Sequence, residues 1–298
     1  RYSTYDSNEN MLTKIKSSRE SFDVVFPSGD HVSILRQAGL LAPIDRKKIS
    51  FYDSLDPDLL KKAESFDPGN QYSVPYFWGL TGLIYNNTYV PEAIVNLASW
   101  DIIGHEFFKN KNKITMLDDA REVVGAALIM AGYNINDTSD TAMEAATKIL
   151  LKWDKNITQF DSDSYKNEVP DGTTWLAQAY NGDALQQISE NPNLGFILPK
   201  EGASLWMDSM VILKSSKNID LAHKFIDFLT NPENAVINAE YTQFPTPNKV
   251  AFDKLDEEIR SNPYIYPDHS YLDKCYMIEP IGESVRRIDA VYEQIKMY

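Results

Sequence analysis

Residues 22–29 read FDVVFPSG, and this stretch indicates the fold class of the chain. The apolar run predicts a strand over Phe22–Phe26, which Pro27, Ser28 and Gly29 would end. Apolar residues then recur at helical spacing as far as Gly39, a typical helix-ending residue. A strand, a turn and a helix in this order are typical of an α/β protein.

The same alternation of strands and helices continues through the chain. Further strands are predicted over Thr81–Tyr85, Lys113–Leu117, Trp175–Tyr180, Leu194–Leu198 and Met207–Leu213. Helices are predicted over Ile219–Leu229 and Glu283–Lys296, and another begins at Asp118 or Asp119. The chain has 298 residues, of which 43% are hydrophobic, so it can form two cores of roughly 100–150 residues each. We therefore expect two α/β lobes.

Composition excludes several classes of function. Acidic residues outnumber basic ones 43 to 29, so the net charge repels phosphate backbones and no nucleic-acid partner is expected. The 4 histidines are scattered and Cys275 is the single cysteine, so the chain offers no motif for a metal site. Nucleotide-binding glycine loops and the GxSxG elbow are also missing, so no cofactor is expected.

The segment Asp118-Asp119-Ala120-Arg121-Glu122 places carboxylates at the start of a predicted helix. Such residues commonly cap a helix and complement its dipole. However, Asp119 and Glu122 are three residues apart, so both could lie on one helix face and point into a cleft. The pattern leaves capping and cation binding open, and a general acid–base pair is a third alternative.

Trp206 and Asp208 form a second candidate pair. Residues two apart in a strand share a face, so the ring and the carboxylate would project together. A core tryptophan beside a surface aspartate is the alternative. Aromatic residues also cluster at Tyr76–Trp78, at Tyr180 and at Phe244. Carboxylates beside aromatic faces suit a flexible ligand with positive ends and an apolar middle, which is the character of a polyamine.

A set of short sequences in this chain resembles the spermidine/putrescine-binding proteins of ABC importers. They are YSTYDSNE (2–9), FDVV with PS (22–28), NQYSVPYFWG (70–79), LDDAREV (117–123), PKEG with WMDS (199–209) and FPTPN (244–248). The resemblance extends from end to end, and the order and spacing of these sequences make it specific.

The resemblance implies an α/β, two-lobed periplasmic-binding-protein fold of type II, with the ligand cleft between the lobes. Residues 1–78 and 207–246 would form the first lobe, and residues 79–206 and 247–298 the second. The crossovers would be Trp78–Tyr85 and Trp206–Leu213. The ligand-binding positions that it implies are Ser28, Asp30, Asp119, Glu122, Tyr180, Trp206, Asp208 and Phe244.

Some positions depart from the family pattern. Asp30 lies where an aromatic residue is common, Phe244 where tyrosine is common, and Ile278 near a frequent glutamine. The family also begins with an additional strand that carries aromatic ligand contacts, so we expect such a segment upstream of Tyr2 in the working protein.

The function that the resemblance implies is capture of spermidine or putrescine by lobe closure, without catalysis. The partners would be the polyamine and the permease subunits of an ABC transporter. The location would be the periplasm or the extracellular face of the cytoplasmic membrane, with or without a lipid anchor. Binding of another solute on the same fold, and an amine-processing enzyme that uses Asp119 and Glu122, are the alternative hypotheses.

Overall fold

The structure is a computed structural model that describes residues 2–5, 7–17 and 22–296. Residues 1, 6, 18–21, 297 and 298 lie outside these ranges. They include Asp6, which belongs to one of the family-like sequences, and the first and last residues of the predicted lobes. The strands are β1 Val24–Val25, β2 Leu41–Ala42, β3 Ser73–Asn86, β4 Ile114–Met116, β5 Ile157–Phe160, β6 Leu176–Tyr180, β7 Leu194–Ile197, β8 Ser204–Leu213 and β9 Tyr276–Met277.

Helices follow most of these strands. They are α1 Asn8–Ser17, α2 Gly29–Gln37, α3 Pro57–Ala63, α4 Glu92–Val95, α5 Ala120–Met130, α6 Asp140–Trp153, α7 Tyr165–Asp171, α8 Asn181–Glu190, α9 Ile219–Thr230, α10 Pro232–Thr242, α11 Lys249–Phe252, α12 Glu257–Arg260, α13 His269–Leu272 and α14 Val285–Lys296. Short 3₁₀ helices cover Arg46–Lys48, Tyr52–Ser54, Trp100–Ile102, Glu106–Phe108 and Gly282–Ser284.

The chain forms two compact units, each made of two segments. The first unit comprises Arg1–Trp78 and Trp206–Ser261, and the second comprises Gly79–Leu205 and Asn262–Tyr298. The chain therefore passes from one unit to the other within β3 and within β8.

Residues 247–261 differ from our expectation, because they group with the first unit and not with the second lobe. Asn248 gives the physical reason: its side-chain amide donates to the Thr230 carbonyl at 2.8 Å, and its backbone pairs with Leu55. Trp206, which we expected at the end of a second-lobe segment, likewise belongs to the first unit.

The sheet of the first unit is built around β8. β1 and β2 both pair with β8 in antiparallel orientation, with Val24 opposite Ile212 and Leu41 opposite Leu213. A buried cluster packs against this sheet and α9; it contains Ala42, Ile44, Ile49, Tyr52, Leu55, Val74, Met210, Ile212, Ala222 and Ile226. In this sheet, β1 leads into α2, and β8 carries Trp206 and Asp208.

The sheet of the second unit combines antiparallel and parallel pairs. β6 and β7 run antiparallel to β3, whereas β4 runs parallel to both β5 and β6. Helices α5, α6 and α14 pack together, and their apolar faces enter one large core. Because β4 and β6 are parallel, the residues that follow Met116 and Tyr180 leave the same edge of the sheet.

Predicted and observed elements differ most at β3 and β1. β3 begins at Ser73 and not at Thr81, because the backbone stays extended through Pro75 and Gly79, which interrupt the apolar pattern. β1 contains only Val24 and Val25 of the five residues predicted. Among the described residues, no helix is long and apolar enough to span a bilayer.

Candidate functional site

The predicted helix after β4 begins at Ala120, and Asp119 is its N-cap. One carboxylate oxygen, Oδ1, accepts hydrogen bonds from the backbone N–H groups of Arg121 at 2.8 Å and Glu122 at 3.1 Å. These bonds satisfy two of the N–H groups that a helix start leaves without a partner. The capping interpretation of Asp119 is therefore confirmed, and its negative charge is fixed at the start of α5.

Glu122 lies in the first turn of α5 and is only 2% exposed. Its carboxylate accepts a hydrogen bond from the Ser204 hydroxyl, and Thr81 lies nearby. Burial, followed by the negative charge of Asp119, raises the pKa of Glu122 well above its usual range. A positive charge that binds nearby stabilises the ionised form of such a buried carboxyl group.

Tyr180 lies beside this pair in the second unit. Its backbone is opposite Thr81 in the antiparallel β3–β6 ladder, and it occupies the N-cap position of α8. Thr81 lies near Glu122, and Asp119 is three residues before Glu122 at the start of α5. We call Asp119, Glu122 and Tyr180 the second-unit group.

In the first unit, Ser28 and Asp30 lie at the start of α2. Ser28 Oγ donates to Asp30 Oδ1 at 2.6 Å, and the same oxygen accepts from the His31 backbone N–H at 2.9 Å. The His31 ring is nearby, with Nδ1 3.2 Å from Asp30 Oδ1 and Nε2 3.7 Å from a carboxylate oxygen of Glu9. A carboxylate, a hydroxyl and an imidazole are thus concentrated in one helical turn.

Asp208 joins this turn from β8. Ser28 and Asp208 are partners in an isolated antiparallel bridge. Burial, followed by the negative charge of Asp30, raises the pKa of Asp208 to about 7. At a pKa of about 7, about half of this carboxyl group is protonated at neutral pH. The predicted sharing of one strand face is confirmed, because Trp206 and Asp208 are both half-buried while Met207 and Ser209 are buried.

Aromatic rings continue from Trp206 in a row within the first unit. The Trp206 and Phe244 ring centroids are 5.2 Å apart at 80°, and Phe244 lies 6.0 Å from Phe77. Phe77 lies 4.2 Å from Tyr76, which lies 4.9 Å from Phe26. We call Ser28, Asp30, Trp206, Asp208 and Phe244 the first-unit group. Flat rings beside its carboxylates can contact methylene groups and, through their faces, cations.

Several residues next to these groups were missed by the sequence reasoning. The Tyr5 hydroxyl donates to the Phe26 carbonyl at 2.6 Å, and the negative charge of Asp208 contributes, after burial, to raising the pKa of Tyr5. His31 adjoins Asp30, and Ser204 contacts Glu122 from 82 positions away in the chain. The strand position of Ser204, two residues before Trp206, was the only signal available for it.

Two other residues singled out in the sequence have structural roles. Ile278 packs against the large core of the second unit, and its N–H donates to the Leu205 carbonyl at 3.2 Å. Cys275 is half-buried, and its thiol donates to the Tyr271 carbonyl at 3.5 Å. Across the ranges that the structure describes, no group of three or more histidine, cysteine or carboxylate side chains could hold a metal ion.

Comparison with known proteins places this geometry in a family. The model of the family "Bacterial extracellular solute-binding protein" matches residues 1–266. The chain is 36% identical over 297 residues to the spermidine/putrescine-binding periplasmic protein of Salmonella typhimurium, covering 99% of this chain and 83% of that protein. It is 31% identical over 300 residues to the putrescine-binding periplasmic protein of Escherichia coli K12, covering 96% of this chain and 81% of that protein.

Solved structures give the same result. One is the spermidine/putrescine ABC transporter substrate-binding protein of Streptococcus pneumoniae, with a TM-score of 0.87 and 36% identity over 100% of this chain and 90% of that chain. Another is a putative spermidine/putrescine ABC transporter protein of Listeria monocytogenes, with a TM-score of 0.90 and 38% identity over 100% of this chain and 91% of that chain.

These matches confirm the predicted fold class, the two-lobed α/β fold of periplasmic binding proteins. They also confirm the family resemblance seen in the sequence. The chain therefore belongs to the family of bacterial extracellular solute-binding proteins.

Proposed function

We propose that this protein binds spermidine or putrescine outside the cytoplasm and delivers it, chemically unchanged, to an ABC importer. One observation carries the proposal: each unit holds two carboxyl groups close together, and one carboxyl group in each pair has a raised pKa. The pairs are Asp30 with Asp208 in the first unit and Asp119 with Glu122 in the second.

An organic polycation fits this arrangement better than an anion or a neutral sugar. A carboxyl group whose pKa is raised by burial and by a like charge becomes fully ionised when an ammonium group binds beside it. Each charge-assisted hydrogen bond between an ammonium and a carboxylate then contributes on the order of 1.5–3 kcal/mol. A few such bonds reach the roughly −8 kcal/mol that corresponds to micromolar binding.

The rings of Trp206 and Phe244 supply the remaining contacts. The two rings lie edge to face, and Trp206 shares one face of β8 with Asp208. Methylene groups would pack against these rings, and an ammonium over a ring face would gain about 0.5–2 kcal/mol. The names of the relatives, which bind spermidine and putrescine, support the same ligand class.

Several finer assignments belong to the same proposal. The partner would be the membrane-embedded permease subunits of the importer. The protein would work in the periplasm or at the outer face of the cytoplasmic membrane, where a lipid anchor would keep it near the importer. Closure of the lobes on the ligand is a further prediction. If it occurs, the radius of gyration in solution should decrease after spermidine is added.

Titration calorimetry with spermidine and putrescine tests the proposal. We expect micromolar or tighter binding of at least one of them, weakened at least about tenfold by Asp208→Asn and by Asp119→Asn. Asp220→Asn is the matched control, because Asp220 is an exposed aspartate in the first turn of α9 that pairs with Lys48. No binding heat with either polyamine, while another solute binds tightly, would exclude the assignment.

Mass spectrometry separates binding from catalysis. After prolonged incubation with the protein, spermidine and putrescine should be recovered unchanged. A product that forms with the wild type and not with Glu122→Gln would favour an amine-processing enzyme instead.

A further inference from the structure

Tyr292 of α14 contacts the turn that carries Asp119. This turn connects β4 to α5, and Asp118 is its middle residue. The Tyr292 hydroxyl donates to Asp118 Oδ1 at 2.6 Å and lies 3.5 Å from the Leu117 carbonyl oxygen. Tyr292 is only 5% exposed, and its ring packs edge to face against Phe160, with centroids 5.4 Å apart. A buried and well-packed residue of α14 thus holds the residue that directly precedes Asp119.

Lys296 of the same helix contacts the same carboxylate oxygen. Its Nζ lies 2.7 Å from Asp118 Oδ1 and 5.1 Å from the centroid of the Tyr292 ring. Burial acts to raise the pKa of Asp118, but the hydrogen bonds from Lys296 and Tyr292 outweigh it and hold that pKa below its usual range. The two adjacent aspartates therefore have different roles: Asp118 binds side chains of α14, whereas Asp119 caps α5.

Gln178 of β6 is a second buried contact of this turn. Its side-chain oxygen accepts from the Leu117 N–H at 3.4 Å, and its side-chain nitrogen donates to the Glu122 carbonyl at 3.1 Å. These hydrogen bonds hold the two ends of segment 117–122, which contains both acidic residues of the second-unit group. The hydrogen bond from Tyr292 acts on the residues between those ends.

The charge of Asp119 also reaches Tyr292. After burial and the contact with Asp118, it is a further cause of the raised pKa of the Tyr292 hydroxyl, which therefore stays protonated and able to donate at neutral pH. We infer that Tyr292 is a positioning residue: through Asp118 it fixes the location of the Asp119 carboxylate that receives an ammonium group of the ligand. This inference rests on the proposed function.

Tyr292→Phe tests the inference, because it removes the hydroxyl and keeps the packed ring. Titration calorimetry with spermidine should give a dissociation constant about fivefold higher than that of the wild type, at unchanged stoichiometry. A purely structural role would instead lower the stoichiometry, or the unfolding free energy in urea, and leave the dissociation constant unchanged. Tyr271→Phe is the matched control: Tyr271 is a half-buried tyrosine of the second unit that donates to the Pro199 carbonyl at 2.9 Å. It should leave the dissociation constant unchanged.

A double-mutant cycle tests whether Tyr292 acts through Asp119. Asp119→Asn keeps a helix-capping side chain and removes the charge. In that background, Tyr292→Phe should change the dissociation constant for spermidine by less than about twofold. The same fivefold effect in both backgrounds would mean that Tyr292 acts on another group, and it would overturn the inference.

A pair of variants at Asp118 gives an independent test that leaves the core intact, and it decides the question if Tyr292→Phe does not fold. Asp118→Asn and Asp118→Ala remove the same charge, but only asparagine keeps an Oδ1 acceptor for the Tyr292 hydroxyl. The alanine variant should therefore bind spermidine about fivefold more weakly than the asparagine variant.

The outcomes separate this inference from the proposed function. Equal affinities of the two Asp118 variants, or an unchanged dissociation constant in folded Tyr292→Phe, overturn the role of Tyr292 while polyamine binding stands. A wild-type protein that binds neither spermidine nor putrescine overturns both.

Discussion

Polyamine affinity should fall as the pH is lowered from 8 to 6, and Asp208 is the main cause that we expect. Its pKa in the ligand-free protein is raised to about 7 by burial and by the charge of Asp30. An ammonium ligand stabilises the ionised carboxylate, so the pKa in the complex must be lower than in the free protein. Binding therefore releases a proton, and it is strongest above the free-state pKa.

The magnitude follows from the ionised fraction of the free protein. With a pKa of about 7, Asp208 is about nine-tenths ionised at pH 8 and about one-tenth ionised at pH 6. Affinity should thus be about tenfold lower at pH 6, or about 1.4 kcal/mol. The raised pKa of Glu122 adds in the same direction.

Calorimetry in two buffers with different ionisation enthalpies measures both quantities. At pH 6 the wild type should release about 0.9 protons per bound ligand from Asp208 alone, and at pH 8 about 0.1. Asp208→Asn should bind more weakly at pH 8 and should lose about one proton from the release at pH 6. Asp220→Asn should keep the full pH dependence.

Equal dissociation constants at pH 6 and pH 8, or proton uptake on binding, would refute this reasoning. A variant His31→Gln tests the neighbouring histidine, because it removes the ring and leaves both aspartates. If the pH dependence disappears in that variant alone, His31 and not Asp208 is the titrating group.

Three further predictions concern single residues. Asp208→Asn should stabilise the ligand-free protein at pH 8 by about 1–3 kcal/mol, because an acid with a raised folded-state pKa opposes folding when it is ionised; the gain in Tm should vanish near pH 4. Phe244→Leu should weaken spermidine binding about fivefold to tenfold in calorimetry, because Trp206 loses its edge-to-face partner. Arg121→Ala should lower the unfolding free energy by about 2–4 kcal/mol in urea, because buried Arg121 donates to the Glu279 carbonyl at 3.0 Å.

Exposed residues of the same types are the matched controls. Phe228→Leu changes an exposed phenylalanine of α9, and Arg286→Ala changes an exposed arginine of α14 that pairs with Glu283, three residues earlier. Neither should shift affinity or stability by more than about 0.5 kcal/mol. Comparable effects in a control and its partner variant would contradict the burial argument, and a lower Tm for Asp208→Asn would contradict the stability argument.

Local patterns predicted much of the fold because local physics determines those elements. The helix after β4 begins where its aspartates indicated, since Asp119 satisfies N–H groups that only a nearby acceptor can reach. Helices α9 and α14 start within two residues of the positions expected from their apolar periodicity. β3 was predicted too short because its first half has partners far along the chain, such as the Pro245 carbonyl, which accepts a hydrogen bond from the Trp78 N–H at 3.3 Å.

The candidate site was less accessible to sequence reasoning. The pairing of Trp206 and Asp208 on one face follows from the two-residue period of a strand, and it was predicted. The contact between Ser204 and Glu122 and the approach of Tyr5 to Asp208 depend on long-range packing that no local pattern encodes. The grouping of residues 247–261 with the first unit was missed for the same reason.

The N-cap role of Asp119 affects how mutagenesis of this protein should be interpreted. Alanine at this position would delete both the hydrogen bonds that start α5 and the charge near Glu122, so a loss of binding could reflect a frayed helix alone. Asparagine caps a helix nearly as well and carries no charge. A comparison of the two replacements therefore separates the contribution of helix architecture from that of electrostatics, which an alanine scan would merge into one number.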